Sequence, residues 1–430
     1  MARVAVIGAG VMGLACAYEN LKQGHQVDLY EADDRVGGMA AHFDFDGLSI
    51  ERYYHFICKP DEFLFDLLKE LDIHHLLQWR DTHMGYYYNG ELHDWGTPFA
   101  LLKFPGLSMI AKLRYGIHMF LSTKLRDGQH LHNEEASIWI KRWIGDNAYN
   151  ILWKRLFDLK FFKYKDNLSA AWIWARIRRV GQSRKSMLQE QMGYIDGGSN
   201  VLLDVLEKKI KALGGNIYLQ TVVEKVNIKN NKVTSLTHQQ GNKEYDAVFS
   251  TIPLPYVSSM IPDMPQNYID AYNSIDNMAV VCVLFKLKRP LTRNFWLNIS
   301  DERFEIPGLI EYSNLRELPD NIVYVPYYMP RDLKKYQNDN DYFINEAKAY
   351  LKLIDSKLTD DDIKAVHASR YGYAQPICPP GFGDCLPEIK TSIEGLFVAD
   401  TSYYYPEDRS ISESVNIGQK MASLYQQSVS

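Results

Sequence analysis

Cysteine is scarce and unpatterned in this sequence: the five residues, at 16, 58, 282, 378 and 385, are odd in number and show no paired metal-ligand spacing. That argues against a disulfide framework and a cysteine-built metal centre, and it fits a reducing cytoplasm in which each thiol packs as a small hydrophobe. No metal site is expected, and no cysteine is assigned to catalysis. Long apolar runs are missing too; the longest, around Ala279 to Phe285, falls far short of the roughly 20 residues a bilayer span requires. A cleavable secretory leader is not expected, because strand-like sequence begins near Arg3 and a glycine loop follows by Gly8. The formal net charge of −5 gives no whole-molecule reason to expect nucleic acid as a partner. Repeats and low-complexity segments are absent as well. A length of 430 residues, 46% hydrophobic and 23% charged, describes a folded globular chain of two or three domains.

What the sequence does contain is an alternation between two textures. ARVAVI reads as a strand, Val11 to Gln23 as a helix and QVDLYE as a second strand, which together make a βαβ unit. From about Pro60 to Gln189 the pattern turns to helices rich in aromatic and basic residues, interrupted by GYYYNGELHDW, whose Asn89-Gly90 pair suits a type I′ hairpin turn. The first texture returns past Gly193. A helix over Asn200 to Leu213 ends at Gly214-Gly215, and the strand NIYLQT, the hairpin VEKVNIKNNKVTSLTH and the strand YDAVFSTIP follow. Between Leu254 and Pro387, the strands VVCVLFKL and IVYVPYY and a helix near Phe343 to Leu358 imply a second visit to the other domain. The segment GLFVAD and a helix over Ser412 to Tyr425 close the first. The expected division is therefore residues 1–60, 190–253 and 388–430 for one domain, and 61–189 with 254–387 for the other.

Gly8, Gly10 and Gly13 stand in G-x-G-x-x-G spacing between the first strand and the first helix. The first glycine permits the tight turn, the second lets the backbone approach a pyrophosphate, and the third allows helix and strand to pack closely. The helix start at Gly10, Val11 and Met12 then offers free N–H groups and a favourable dipole to the phosphates. Glu31, followed by Ala32, ends the second strand where a ribose would sit. Gly37 and Gly38, followed by Met39, form a second turn of close approach.

The run EADDRVGGMA after the second strand resembles the extended signature of the FAD-dependent amine oxidase and protoporphyrinogen oxidase superfamily. An arginine usually follows the paired glycines there; this chain has Met39. Two distant segments carry the same resemblance. GYIDGGSNVLLDVLEKKIKALGGNIYLQTVVEKV is similar to the family's central segment, which implies that Val223 meets the adenine through its backbone. GLFVADTSYYYPEDRSISESVNIGQKMA is similar to the C-terminal FAD segment, which implies Asp400 beside the ribityl-phosphate and Ser414 and Val415 at the flavin pyrimidine. The resemblance implies an α/β fold, a Rossmann-like FAD-binding domain of the GR2 type with an interleaved α+β substrate domain. It favours FAD over NAD, whose simple dehydrogenases would leave the middle and tail segments unexplained.

Two residues are candidates for the chemistry. His55, in IERYYHFI, matches a histidine of oxidase-like and UDP-galactopyranose-mutase-like relatives, with Tyr53 where glycine would allow close flavin approach. A neutral imidazole there would hydrogen-bond the flavin or move a proton, or else serve structure alone. Arg409, in TSYYYPEDRS, either grips an anionic substrate group by paired hydrogen bonds or neutralises Glu407 or Asp408 and pins the loop. The basic residues Lys154, Arg155, Lys160, Lys163, Lys165, Arg176, Arg178 and Arg179 form either an anion site or a solvated face. FPGLSMIAKLRYGIHMFLSTKLR is either a packing helix or an element touching an anionic membrane or a lipid-linked substrate. The leading expectation is an FAD-dependent oxidoreductase that removes hydride from a C–N, C–C or C–O bond of a small anionic, lipid-linked or nucleotide-linked substrate held between the domains. A non-redox sugar-nucleotide mutase and a flavin-binding scaffold are the alternatives. The expected location is the cytoplasm, with peripheral membrane contact.

Overall fold

The structure, a computed structural model, describes residues 1–429. A five-stranded parallel sheet runs in the order Asn216–Tyr218, Gln26–Tyr30, Arg3–Ile7, Ala247–Ser250, Leu396–Val398. Its central strands are apolar on both faces because both are covered, one by helices and the other, through Ala5, Ile7, Tyr30 and Val248, by the Val226, Val233 and Leu236 side chains of a small antiparallel meander. Val4, Val6, Leu29 and Phe249 pack into one cluster with the Val11–Lys22, Asn200–Ala212 and Ile411–Val429 helices. A meander of Val223–Lys229, Lys232–His238 and Gly241–Glu244 extends this half. Asn230 and Asn231, at φ +52° and +58°, turn its first hairpin.

The second large sheet has seven strands, ordered Ile363–Pro376, Asn277–Leu287, Asn321–Pro330, Gly308–Glu311, Trp296–Ser300, Met84–Tyr88, Glu91–Trp95. All neighbours are antiparallel except Trp296–Ser300 with Met84–Tyr88. Asn89 and Gly90, at φ +50° and +84°, make the expected I′-type turn. The unbroken apolar run of Asn277–Leu287 reflects burial on both faces. Val281, Val283 and Phe285 meet the Asn340–Ile354 helix, whereas Val280, Cys282 and Leu284 face Tyr53, Tyr324 and Tyr328. Two of this sheet's strands come from residues 84–95 and five from 277–376.

The structure departs from the sequence reading in two places. The helix expected to reach Leu358 stops at Ile354, because the Asp355 carboxylate accepts from the Lys357 N–H (2.9 Å) and pairs with Arg289, offering the backbone a turn instead. The stretch from about Pro60 to Gln189, read as helices interrupted by one hairpin, also supplies Leu77–Thr82 and Arg184–Ser186 to a three-stranded sheet with Gln189–Ile195. Its strand LQWRDT is largely polar and half-exposed, so it lacks the apolar alternation that marks a strand.

Candidate functional site

A cavity of about 890 Å³ opens at the carboxyl ends of the parallel strands and runs between the two large sheets, lined by Gly8, Gly10, Glu31, Gly37 and Asp400 at one end and by His55, Lys160, Tyr328 and Arg409 at the other. Ligands of open α/β sheets sit at this end of the strands. The glycine loop explains itself by space. A side chain at Gly13 would put its Cβ 1.8 Å from the Gly8 carbonyl oxygen, so only glycine lets the helix lie against the loop. Nothing lies within 4 Å of a Cβ built on Gly10, and that space is the cavity itself. The helix starting at Val11 has no capping side chain and no acid in its first turn, so its N–H groups are free for an anion. Gly37, at φ +116°, donates its N–H to the Ala9 carbonyl (2.7 Å) and brings the second glycine turn against the first.

Glu31 is held from both sides: the Ala9 N–H donates to Oε2 (2.7 Å) and the Asp33 N–H to Oε1 (2.9 Å). Ala32, Met39 and Ser414 line the cavity, and so do Val11 and Met12. Asp400 is buried, which raises its pKa, while the Leu254 and Ser402 N–H groups donate to its two oxygens (3.0 and 2.8 Å) and oppose that rise. Val223 and Val415 are not on the wall. Val223 opens its strand two residues past Thr221, whose N–H donates to the Glu31 carbonyl (2.8 Å), and the Val415 side chain is buried in the apolar cluster beneath the C-terminal helix. Arg52, unmarked in the sequence, also reaches the cavity and pairs with Asp33 at 2.6 Å, supplying a cation near the turn where Met39 replaces one.

At the far end, burial pushes the His55 pKa down to about 4, so its imidazole is neutral near pH 7, and Nδ1 has no hydrogen-bond partner. Tyr54 and Tyr328 meet there through their hydroxyls (3.3 Å). The loop carrying Glu407, Asp408 and Arg409 docks on the Ala170–Gln182 helix. Arg178 pairs with Glu407 (2.6 Å), Arg176 with Asp408 (2.9 Å), and Arg179 with Asp61 (2.7 Å) while approaching Asp408. The two carboxylates of the loop are thus satisfied without Arg409, which instead donates from Nη1 to the Ala374 carbonyl and leaves Nε buried and unpartnered. Lys160 is half-buried over the Tyr328 ring, 5.1 Å from its centroid, and its removal from water together with Arg176 and Arg409 holds its ammonium well below the ordinary lysine range. Among the described residues neither Lys160 nor Arg409 has an ion-pair partner. The other basic residues of the region divide: Lys154 and Lys165 pair with Asp158 and Lys163 with Asp332 at the exposed surface.

The family described as flavin containing amine oxidoreductase matches residues 12–403. The 15-cis-phytoene desaturase of Synechococcus elongatus is 24% identical over 67% of this chain and 66% of its own length, just under two thirds. A putative protoporphyrinogen oxidase from Exiguobacterium sp. 255-15 superimposes with a TM-score of 0.78 at 17% identity over 99% of both chains. Reduced UDP-galactopyranose mutase does so at 0.76 and 15% identity, over 99% of this chain and 96% of that one. At such identities these two structures are alike in fold alone.

Proposed function

Because the chain belongs to the flavin-containing amine oxidoreductase family and is an FAD-dependent oxidoreductase, we propose that it removes hydride from a small substrate bearing an anionic group, seated between the flavin and the Lys160–Arg409 pair. The observation that carries this reading is the pair itself: a lysine and an arginine on one cavity wall, neither with an ion-pair partner of its own among the described residues, while the neighbouring Asp408 is taken by Arg176. An unpaired charge held away from bulk water is costly, and an anion delivered by the substrate would offset that cost at Arg409 and favour the charged form of Lys160.

The residues that would hold FAD fit the group. Gly8, Gly10, Val11 and Met12 would meet the pyrophosphate with backbone N–H groups, Gly37, Gly38 and Met39 would close over it, and Glu31 and Ala32 would take the ribose. Asp400 would meet the ribityl chain and Ser414 the flavin ring, whereas Val223 and Val415, whose side chains lie off the cavity wall, could contribute only their backbone, Val223 toward the adenine and Val415 toward the flavin. When bound, FAD supplies the hydride acceptor. His55, neutral and with a free Nδ1, would hold or pass one proton at that end of the cavity. Arg409 would grip the substrate anion with its planar fork, Lys160 would add a point charge, and Tyr54 and Tyr328 would wall the reacting carbon from water. Five free thiols support a reducing, cytoplasmic setting. The likeness to the mutase is one of fold, so rearrangement without net oxidation and a flavin scaffold without turnover are not favoured.

The test is anaerobic titration of the purified holoprotein with amines, sugar nucleotides and polyprenyl phosphates, following the flavin absorbance. Bleaching by an anionic compound but not by its neutral counterpart is expected. Bleaching by neutral compounds alone would refute the anionic requirement.

A further inference from the structure

The Met109–Lys124 helix is inside out. Its buried positions are Ala111, Lys112, His118 and Ser122, whereas Met109, Ile110, Leu113, Ile117, Phe120 and Leu121 expose between 43% and 72% of their surface. At 100° per residue those six fall within an arc of about 120°, one continuous stripe. The Pro98–Lys103 helix packs beside it and exposes Phe99 and Leu102. Arg184 donates to the Gly96 and Met187 carbonyls (2.9 and 3.0 Å), which brings the apolar tip Met187-Leu188, also exposed, to the same side. Of the large exposed apolar side chains among the described residues, half belong to this one face, and a soluble surface does not collect them by chance.

The charge around the stripe selects its occupant. Residues 96–126 contain Lys103, Lys112, Arg114, Lys124 and Arg126 and no aspartate or glutamate. Lys112 is buried and donates to the Leu102 carbonyl (2.6 Å), which leaves Lys103, Arg114, Lys124 and Arg126 exposed at the rim. A second copy of the chain would set this cationic rim against itself, because a two-fold interface apposes like to like. An anionic lipid surface meets both halves: acyl chains take the apolar stripe, and headgroups take the cations.

We propose that the 98–121 face docks this protein on an anionic lipid bilayer, lying in the interface without crossing it. No helix among the described residues is long and apolar enough to span a membrane. The proposal goes beyond the functional reading above and does not depend on it. In the fold, the Ala170–Gln182 helix stands between the two features, packing on the Met109–Lys124 helix while its arginines hold the loop that carries Arg409.

The experiment is co-sedimentation of the full-length, FAD-loaded protein with vesicles of phosphatidylcholine and with vesicles of phosphatidylcholine mixed with phosphatidylglycerol. Binding to the mixed vesicles, weakened by added salt, is expected. Leu113→Glu combined with Ile117→Glu should lower it by about tenfold or more, with melting temperature and flavin content unchanged, because both side chains already face solvent. Lys103→Glu combined with Lys124→Glu should also weaken binding, and only to the mixed vesicles. Failure to sediment with mixed vesicles at low salt would overturn the proposal. So would equal binding to both vesicle types, or a concentration-dependent dimer that the Glu variants abolish while vesicle binding is nil throughout.

Discussion

Gly10 and Gly13 are three residues apart in one loop, yet replacing each should fail in a different way. At Gly13 a methyl group would stand 1.8 Å from the Gly8 carbonyl oxygen, which is backbone and cannot swing aside. Gly13→Ala must therefore push the first helix off the parallel sheet. Overpacking of that kind costs about 1–3 kcal/mol, and the loss is present with or without cofactor. Gly10 has an extended backbone, φ −65° and ψ 173°, that any residue adopts, and a Cβ there meets nothing within 4 Å. Gly10→Val should leave the apoprotein's unfolding midpoint nearly unchanged while filling the space reserved for the pyrophosphate. Losing one or two charge-assisted backbone contacts, at about 1.5–3 kcal/mol each, should raise the FAD dissociation constant by tenfold to well over a hundredfold. Both quantities are measurable on one preparation: urea unfolding of deflavinated protein, and FAD titration by flavin fluorescence. Gly10→Val that retains normal FAD affinity would refute the placement of the pyrophosphate, and equal apoprotein destabilisation by both variants would refute the steric reasoning.

Arg409→Ala should weaken binding of an anionic substrate by roughly tenfold to a hundredfold with FAD content unchanged, and Arg409→Lys should recover only part, as checked by anaerobic flavin titration. His118 is buried between Trp139 and Trp143 with both ring nitrogens unpartnered, and burial lowers its pKa to about 4. The unfolded chain therefore takes up a proton from about pH 6.5 downward that the folded chain refuses until about pH 4, so stability falls as pH drops through that window. His118→Leu should lose about 2 kcal/mol less than the parent between pH 7 and pH 5 in urea unfolding. Asp61→Asn leaves the buried Arg179 short of its bidentate partner and should cost about 3–5 kcal/mol, visible as a lowered melting temperature. A fragment of residues 61–189 should not unfold cooperatively in a thermal melt, because its Met84–Trp95 hairpin loses the Trp296–Ser300 strand it pairs with.

The parts of the fold set by local chemistry were legible in the sequence. The glycine loop, the Asn89-Gly90 turn and the helix over Asn200–Ala212 with its glycine stop each depend on residues close in sequence. What could not be read are relations between distant residues. Lys160 is indistinguishable in the sequence from Lys154, Lys163 and Lys165; only the packing of its helix against the Asn321–Pro330 strand turns it inward. Glu407 and Asp408 were candidates to neutralise Arg409, but their partners lie about 230 residues earlier, on another helix. The amphipathic pattern of the 109–124 segment was plain, yet periodicity cannot say which face looks outward, and here it is the apolar one. The 77–82 strand escaped notice because its partners come from residues 189–195 and its own side chains are mostly polar.

The C-terminal helix crosses the first helix at Gly418, where a Cβ would stand 2.4 Å from the Met12 carbonyl oxygen and 2.9 Å from the Ala15 methyl. Twelve residues separate the edge strand of the parallel sheet, Leu396–Val398, from the start of that helix. A ribosome therefore makes the glycine loop some 400 residues before its cover. Until that cover has been made the Val11–Lys22 helix has one apolar side bare, and the cofactor cleft lacks the wall that Asp400 and Ser414 provide. Flavin loading is on this account a late event in the life of the chain, and the nascent protein spends that interval with a surface that invites aggregation and needs shielding.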